Sequence, residues 1–152
     1  MPATVGQPAP DFSLRDTNGN TVSLADLKGS KALIVFIPNP NTGICDTESC
    51  DLRDDYSSLG ADGSKVVIIT VHAVPLLKMW VEKHNIPFPV LSDYWPHGAT
   101  AQAYGCFNEQ VGIALRATYV LDENGIVEEI IQSGGLGEKR DHALYAPALS
   151  KA

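Results

Sequence analysis

The strongest constraint on the fold is a pair of uninterrupted apolar runs, Ala32-Leu33-Ile34-Val35-Phe36-Ile37 and Val66-Val67-Ile68-Ile69-Thr70-Val71. Short runs this rich in β-branched residues read as strands buried on both faces, because a strand with one wet face would alternate. Each is followed by a helical pattern, which implies a central sheet with covering helices. After the first run, Cys45, Leu52, Tyr56 and Leu59 recur at helical spacing and share one face, with the helix ending near Gly60. After the second, a helix is predicted from Pro75 to about His84, opened by Pro75 and barred from continuing by Pro87 and Pro89. A shorter one is predicted over Ala99 to Tyr104.

Turn chemistry adds the remaining elements. Phe12 and Leu14 alternate with polar neighbours, Thr17-Asn18-Gly19-Asn20 supplies turn residues, and Thr21-Val22-Ser23-Leu24 resumes an extended pattern, so an opening hairpin is expected. Residues 117–121 and 126–131 flank Asp122-Glu123-Asn124-Gly125, a second hairpin signal, and the sheet is therefore mixed. Beyond the Gly-rich stretch Gly134-Gly135-Leu136-Gly137, a closing helix is expected from Arg140 to Leu149, interrupted or ended near Pro147. The fold class is α/β: a central mixed β-sheet flanked by helices, with an N-terminal β-hairpin extension. Residues 1–152 read as one domain, since no repeat or linker divides them and 44% hydrophobic residues suffice for a continuous core.

A formal charge of −7 argues against nucleic acid or an anionic membrane surface as partner, because both would repel the chain. No stretch pairs a basic region with an apolar segment at the start, and no run reaches membrane-spanning length, so a cytoplasmic protein is expected. Three cysteines are too few, and odd in number, for a secreted disulfide framework.

Cysteine chemistry centres on PNPNTGICDTESC, directly after the first apolar run. Cys45 falls in the first turn of the expected helix, with Thr42 at the N-cap position and its hydroxyl beside the sulfur. Unpaired backbone N–H groups and the helix dipole favour an anionic sulfur there. Pro38 and Pro40 stiffen the loop. The plainer alternative is that Cys45 is a small buried hydrophobe. Zinc is disfavoured because Cys45 and Cys50 lack ligand-pair spacing and His72, His84, His97 and His142 are scattered. A C-x-x-C redox motif is absent, the sequence being Cys45-Asp46-Thr47-Glu48.

Pro38, Thr42 and Cys45 match P-x-x-x-T-x-x-C, and the chain thereby resembles the peroxiredoxins. The likeness runs over nearly the whole length, through Ala9-Pro10-Asp11-Phe12, Ser92-Asp93-Tyr94-Trp95-Pro96-His97-Gly98, Ala103-Tyr104-Gly105, Phe107-Asn108-Glu109-Gln110 and Arg116. These blocks look most like the alkyl hydroperoxide reductase E type, described as a one-cysteine enzyme. Cys50 departs from it and resembles the resolving cysteine of the bacterioferritin comigratory, or peroxiredoxin Q, type.

The resemblance implies a thioredoxin-like fold and a thiol-dependent peroxidase acting on hydrogen peroxide and organic hydroperoxides without metal, haem or flavin. Cys45 would be peroxidatic and Cys50 resolving, with an external reductant such as thioredoxin, mycoredoxin or a similar thiol closing the cycle. The alternatives are direct resolution by an outside thiol or redoxin, and a peroxide sensor with little turnover. A homodimer is also within the family's habits.

The chemistry sets what the site must contain. For any thiol, a pKa lowered from about 8.5 to about 6 raises the thiolate fraction at neutral pH roughly thirtyfold, while a Brønsted slope near 0.4 to 0.5 removes about tenfold of that gain. Stabilisation of the leaving oxygen must supply the rest. Arg116, the Thr42 hydroxyl and the N–H groups of Ile44 and Cys45 are the expected donors. The resemblance implies that Glu48 orients Arg116; the plain alternative, for Glu48 and for Asp46, is a solvated helix charge. Trp95 is placed at the peroxide entrance or a subunit contact, with core packing the plain alternative. Cys106, between Gly105 and Phe107, reads as structural. In an intact helix, residues five apart are rotated by about 140° with Cα atoms roughly 8 to 9 Å apart. That exceeds the approximately 7 Å limit for a disulfide, so a Cys45–Cys50 bond requires local unwinding.

Overall fold

The computed structural model describes residues 2–59, 64–133, 140, 142–145 and 147. Seven strands form one sheet: β1 (Ser13–Asp16), β2 (Thr21–Ser23), β3 (Ala32–Phe36), β4 (Lys65–Thr70), β5 (Val90–Ser92), β8 (Ala117–Leu121) and β9 (Val127–Gln132), in the order β2-β1-β5-β4-β3-β8-β9. Two further short strands, β6 (Phe107–Asn108) and β7 (Ile113–Ala114), pair with each other. The helices are α1 (Leu24–Leu27), α2 (Gly43–Leu59), α3 (Val74–His84) and α4 (Ala99–Tyr104), followed by a 3-10 turn over His142–Leu144.

Both apolar runs take central positions. β3 lies between β4, which runs parallel to it, and β8, which runs antiparallel. All five β3 residues are fully buried, and their side chains alternate between two cores. Ala32, Ile34 and Phe36 join Phe12, Leu24, Leu27, Ala101 and Tyr104 on one face, under the N-terminal segment, α1 and α4. Leu33 and Val35 join Cys45, Leu52, Leu77 and Trp80 on the other, under α2 and α3. Each fully buried Leu, Ile or Phe contributes about 1.5 to 3 kcal/mol relative to exposure, which fixes the register of the central strands.

The expected helices at 75–84 and 99–104 are present. Pro75 stands in the first turn of α3, and Asn85 ends it in a left-handed conformation at φ 53°. The opening hairpin is β1–β2, and it continues the main sheet, because β1 pairs with β5 through Arg15–Ser92 and Asp16–Leu91. In the β8–β9 turn the Asp122 carboxylate accepts the N–H groups of Asn124 and Ile126, and Gly125 supplies φ 80°. The elements that the sequence pattern did not announce, α1, β5 and the β6–β7 pair, are two to four residues long, too short for periodicity to register, and Leu24, expected in the extended segment, opens α1 instead. The Gly-rich stretch at 134–137 and most of the expected closing helix lie outside the described residues; of that helix only the 3-10 turn and its neighbours are seen. Among the described residues no helix is long and apolar enough to cross a membrane.

Candidate active site

Strand pairing brings the site together. Because β8 runs antiparallel to β3 with Ala117 opposite Phe36, Arg116 lies at the end of β3 where the chain turns through Pro38 into α2. Cys45, in the first turn of α2, is fully buried, and Arg116 donates from Nη1 to its sulfur at 3.0 Å. The same Nη1 reaches Glu48 Oε1 at 2.8 Å. A second donor to the sulfur comes from the loop, the Asn39 N–H at 3.4 Å. Pro38 is buried at the base of this loop, and Asn41 turns it with a left-handed φ of 66°.

Thr42 differs from the expectation in its detail. Its hydroxyl proton goes to the Asn39 carbonyl at 2.6 Å, so Thr42 braces the peptide that faces the sulfur and does not hold that proton ready for a leaving oxygen. The backbone carbonyl of Thr42 accepts the Asp46 N–H at 2.9 Å, making it the helix's N-terminal boundary. The N–H groups of Gly43, Ile44 and Cys45 therefore fall in the first turn, where an α-helix offers them no internal acceptor. Ile44 is half-buried beside the thiol.

Glu48 is no solvated helix charge. It is buried at 5% exposure and held by two guanidiniums, Arg116 and a residue that sequence reasoning did not assign to the site, Arg140. Arg140 Nε and Nη2 bond the two carboxylate oxygens at 2.9 Å each, and the Arg140 N–H adds a bond of 2.8 Å to Oε2. Its Nη1 donates to the Phe36 carbonyl at 2.7 Å and to Thr118 Oγ1 at 3.2 Å, tying it to the same end of β3 and β8. Burial alone would raise the Glu48 pKa, but the hydrogen bonds and charge of Arg140, with the bond from Arg116, outweigh it and hold the carboxyl below its usual range. Two buried cations and one carboxylate leave a surplus positive charge that an anionic sulfur at position 45 would balance. No local sequence signal marks Arg140; it lies 92 residues from Glu48 and beyond a Gly-rich stretch.

Asp46 is likewise engaged. Its Oδ1 accepts the Asn41 N–H and the Trp80 indole N–H, each at 2.8 Å, so it joins the loop, α2 and α3. Cys50 is half-buried on α2, with its sulfur 3.7 Å from His84 Nδ1 of α3. All three cysteines are free thiols. Cys106 is fully buried beside Tyr119, and burial pushes its thiol up to about 12.

Trp95 is 80% exposed, which overturns the core-packing alternative. It lines a cleft of about 290 Å³ with Leu14, Arg15, Val74 and Tyr94, beside the opening hairpin. A different cleft, of about 480 Å³, runs past the cysteine loop and is lined by Pro40, Asn41, Leu76, Met79, Trp80 and Lys83.

Comparison with known proteins agrees with this geometry. The family model described as AhpC/TSA matches residues 5–130. Alkyl hydroperoxide reductase E of Mycobacterium bovis is 46% identical over 147 residues, covering 96% of this chain and 95% of that protein. A putative peroxiredoxin bcp of Coxiella burnetii is 33% identical over 136 residues, covering 86% and 89%. Among solved structures, peroxidoxin BcpB from Mycobacterium tuberculosis superposes with a TM-score of 0.86 at 24% identity, covering 99% of both chains. Enterococcus faecalis AhpC gives 0.88 at 23% identity, covering 97% of this chain and 90% of that one. At such identities the structures speak for the thioredoxin-like fold alone. The sequence relatives go further: the chain belongs to the AhpC/TSA family and is a peroxiredoxin, a thiol-dependent peroxidase.

Proposed function

We propose that Cys45 is the peroxidatic residue, that Cys50 resolves it as an intramolecular disulfide, and that an external dithiol such as thioredoxin or mycoredoxin restores both thiols. The 3.0 Å contact between Arg116 Nη1 and the Cys45 sulfur carries this reading. A donor already on the sulfur lies beside the site where the O–O bond breaks, ready to stabilise charge on the departing oxygen without reorganising. The Cys45 sulfur attacks the near peroxide oxygen, the O–O bond breaks, and the far oxygen leaves as hydroxide or alkoxide. Thr42, its proton committed to Asn39, keeps lone pairs free to accept the peroxide O–H. Hydrogen peroxide and organic hydroperoxides both suit this chemistry, and no cofactor enters it.

The resulting sulfenic acid condenses with the Cys50 thiol, releasing water. α2 is continuous from Gly43 to Leu59, so this step requires its first turns to unwind. The Asp46 bonds to Asn41 and Trp80 are the ties that must open. The second reading, direct attack by an outside thiol, draws on the same continuity, which holds Cys50 against α3. We further assign the protein to the cytoplasm and to a homodimer, with the exposed Tyr94 and Trp95 suited to a subunit contact.

Intact-mass measurement after one equivalent of peroxide separates the two readings. Loss of two hydrogens, abolished in Cys50→Ser, is the result expected; gain of one oxygen in the unaltered protein means external resolution. Cys45→Ser must abolish both.

A further inference from the structure

Cys50 lies in a constellation of its own. Its sulfur is 3.7 Å from His84 Nδ1, a hydrogen-bonding distance for sulfur. On the far side of the ring, His84 Nε2 is sealed from solvent and 3.2 Å from Asp46 Oδ2, within ion-pair reach though without hydrogen-bond alignment. The ring cannot swing freely: it packs edge-on against Trp80, with centroids 5.8 Å apart, and Arg53 Nη1 holds the His84 carbonyl at 2.7 Å. A thiol, an imidazole and a carboxylate in series, with the carboxylate behind the base, is the order in which a nucleophilic cysteine is activated.

Resting on the reading of Cys50 as the resolving residue, we propose that His84 is the catalytic base of the resolving step and Asp46 its positioning partner. His84 Nδ1 takes the proton from Cys50, and Asp46 faces the imidazolium so formed. The Cys50 sulfur then attacks the Cys45 sulfenic sulfur as the first turns of α2 open. The S–S bond forms, the S–O bond breaks, and the leaving hydroxide takes up one proton, so that water departs and the imidazole returns neutral. No further oxidant or reductant is needed for this step. Asp46 thus ties two requirements to one place: it fastens the turns that must unwind, and it supports the base that prepares the attacker.

The test measures the base apart from the disulfide. In a Cys45→Ser, Cys106→Ser background, the rate of Cys50 alkylation by iodoacetamide is followed from pH 6 to pH 10, with His84 intact or replaced by Phe or Gln. Asp46 and Arg53, which face His84, and Asp51 and Lys83, next in sequence to Cys50 and His84, are common to all versions. A positioned base contributes about a hundredfold or more, and across a sulfur–nitrogen gap this long we expect about tenfold. Both H84F and H84Q should therefore react about tenfold more slowly near pH 7 and match the parent near pH 10, where hydroxide takes the proton; circular dichroism of each variant checks separately that it is folded. Equal rates near pH 7, or slowing in only one variant, overturns the assignment. Disulfide formation after one equivalent of peroxide, measured with Cys45 present, tests the resolving role separately. No disulfide in the unaltered protein, with the alkylation difference intact, would remove the resolving step and leave the thiol–imidazole pair. Disulfide formation without that difference would do the reverse.

Discussion

Arg140 grips Glu48 through three hydrogen bonds, from its backbone N–H, Nε and Nη2, and so fixes the carboxylate that in turn meets Arg116. The guanidinium on the cysteine is therefore held from behind by an acid, and the acid by a second guanidinium. Each charge in the chain is buried, and each depends on the next for its compensation.

Arg116→Lys should not be neutral. One Arg116 nitrogen reaches both the sulfur and Glu48, on a rigid planar head that an ammonium cannot copy. The second-order rate of Cys45 oxidation by hydrogen peroxide, followed in single turnover, should fall by about a hundredfold or more.

Arg140→Ala should reveal how much the carboxylate costs when left without its main partner. Removing one side of a buried ion pair destabilises by about 3 to 5 kcal/mol, because the remaining charge stays buried. Urea unfolding at pH 7 measures this directly. Peroxide reactivity should also fall in the folded fraction, since Glu48 loses the fixed position from which it meets Arg116.

Acid should act through the same group. The folded Glu48 carboxyl is held below its ordinary value of 4.5, so its contribution to stability is fully present above that value and is lost as pH falls through the lower folded one. Unfolding free energy measured between pH 6 and pH 3 should decline in the unaltered protein. Glu48→Gln should flatten that slope, and it should also slow peroxide turnover, which the picture of a solvated charge does not allow.

Native-state alkylation at pH 8 should modify Cys50 first and Cys106 last. Cys106 is wholly buried and its thiol is pushed up to about 12, so it offers neither access nor thiolate. Peptide mass mapping over time gives the order; early modification of Cys106 would contradict the packing described.

Gly98→Ala should damage the fold away from the cysteine site. Gly98 sits at φ 69°, and an added Cβ would lie 2.2 Å from the Phe107 ring. Left-handed strain and overpacking together predict a loss of about 2 to 4 kcal/mol. Thermal denaturation reads it.

What the sequence determined alone is the part encoded by neighbours along the chain. The apolar runs at 32–37 and 66–71 declare a buried sheet, prolines and glycines bound α3 and the β8–β9 hairpin, and Pro38, Thr42 and Cys45 mark the reactive turn. Arg116 was legible because its block belongs to a recognisable pattern. The tertiary structure alone decided the rest, since strand pairing brings residues together regardless of their separation. It set Arg140 on Glu48, turned the Thr42 hydroxyl to Asn39, exposed Trp95, and seated His84 between Cys50 and Asp46. A charged side chain carries no local sign of whether it will be buried. Only the partner that folding delivers makes burial affordable, and for Glu48 that partner lies 92 residues away.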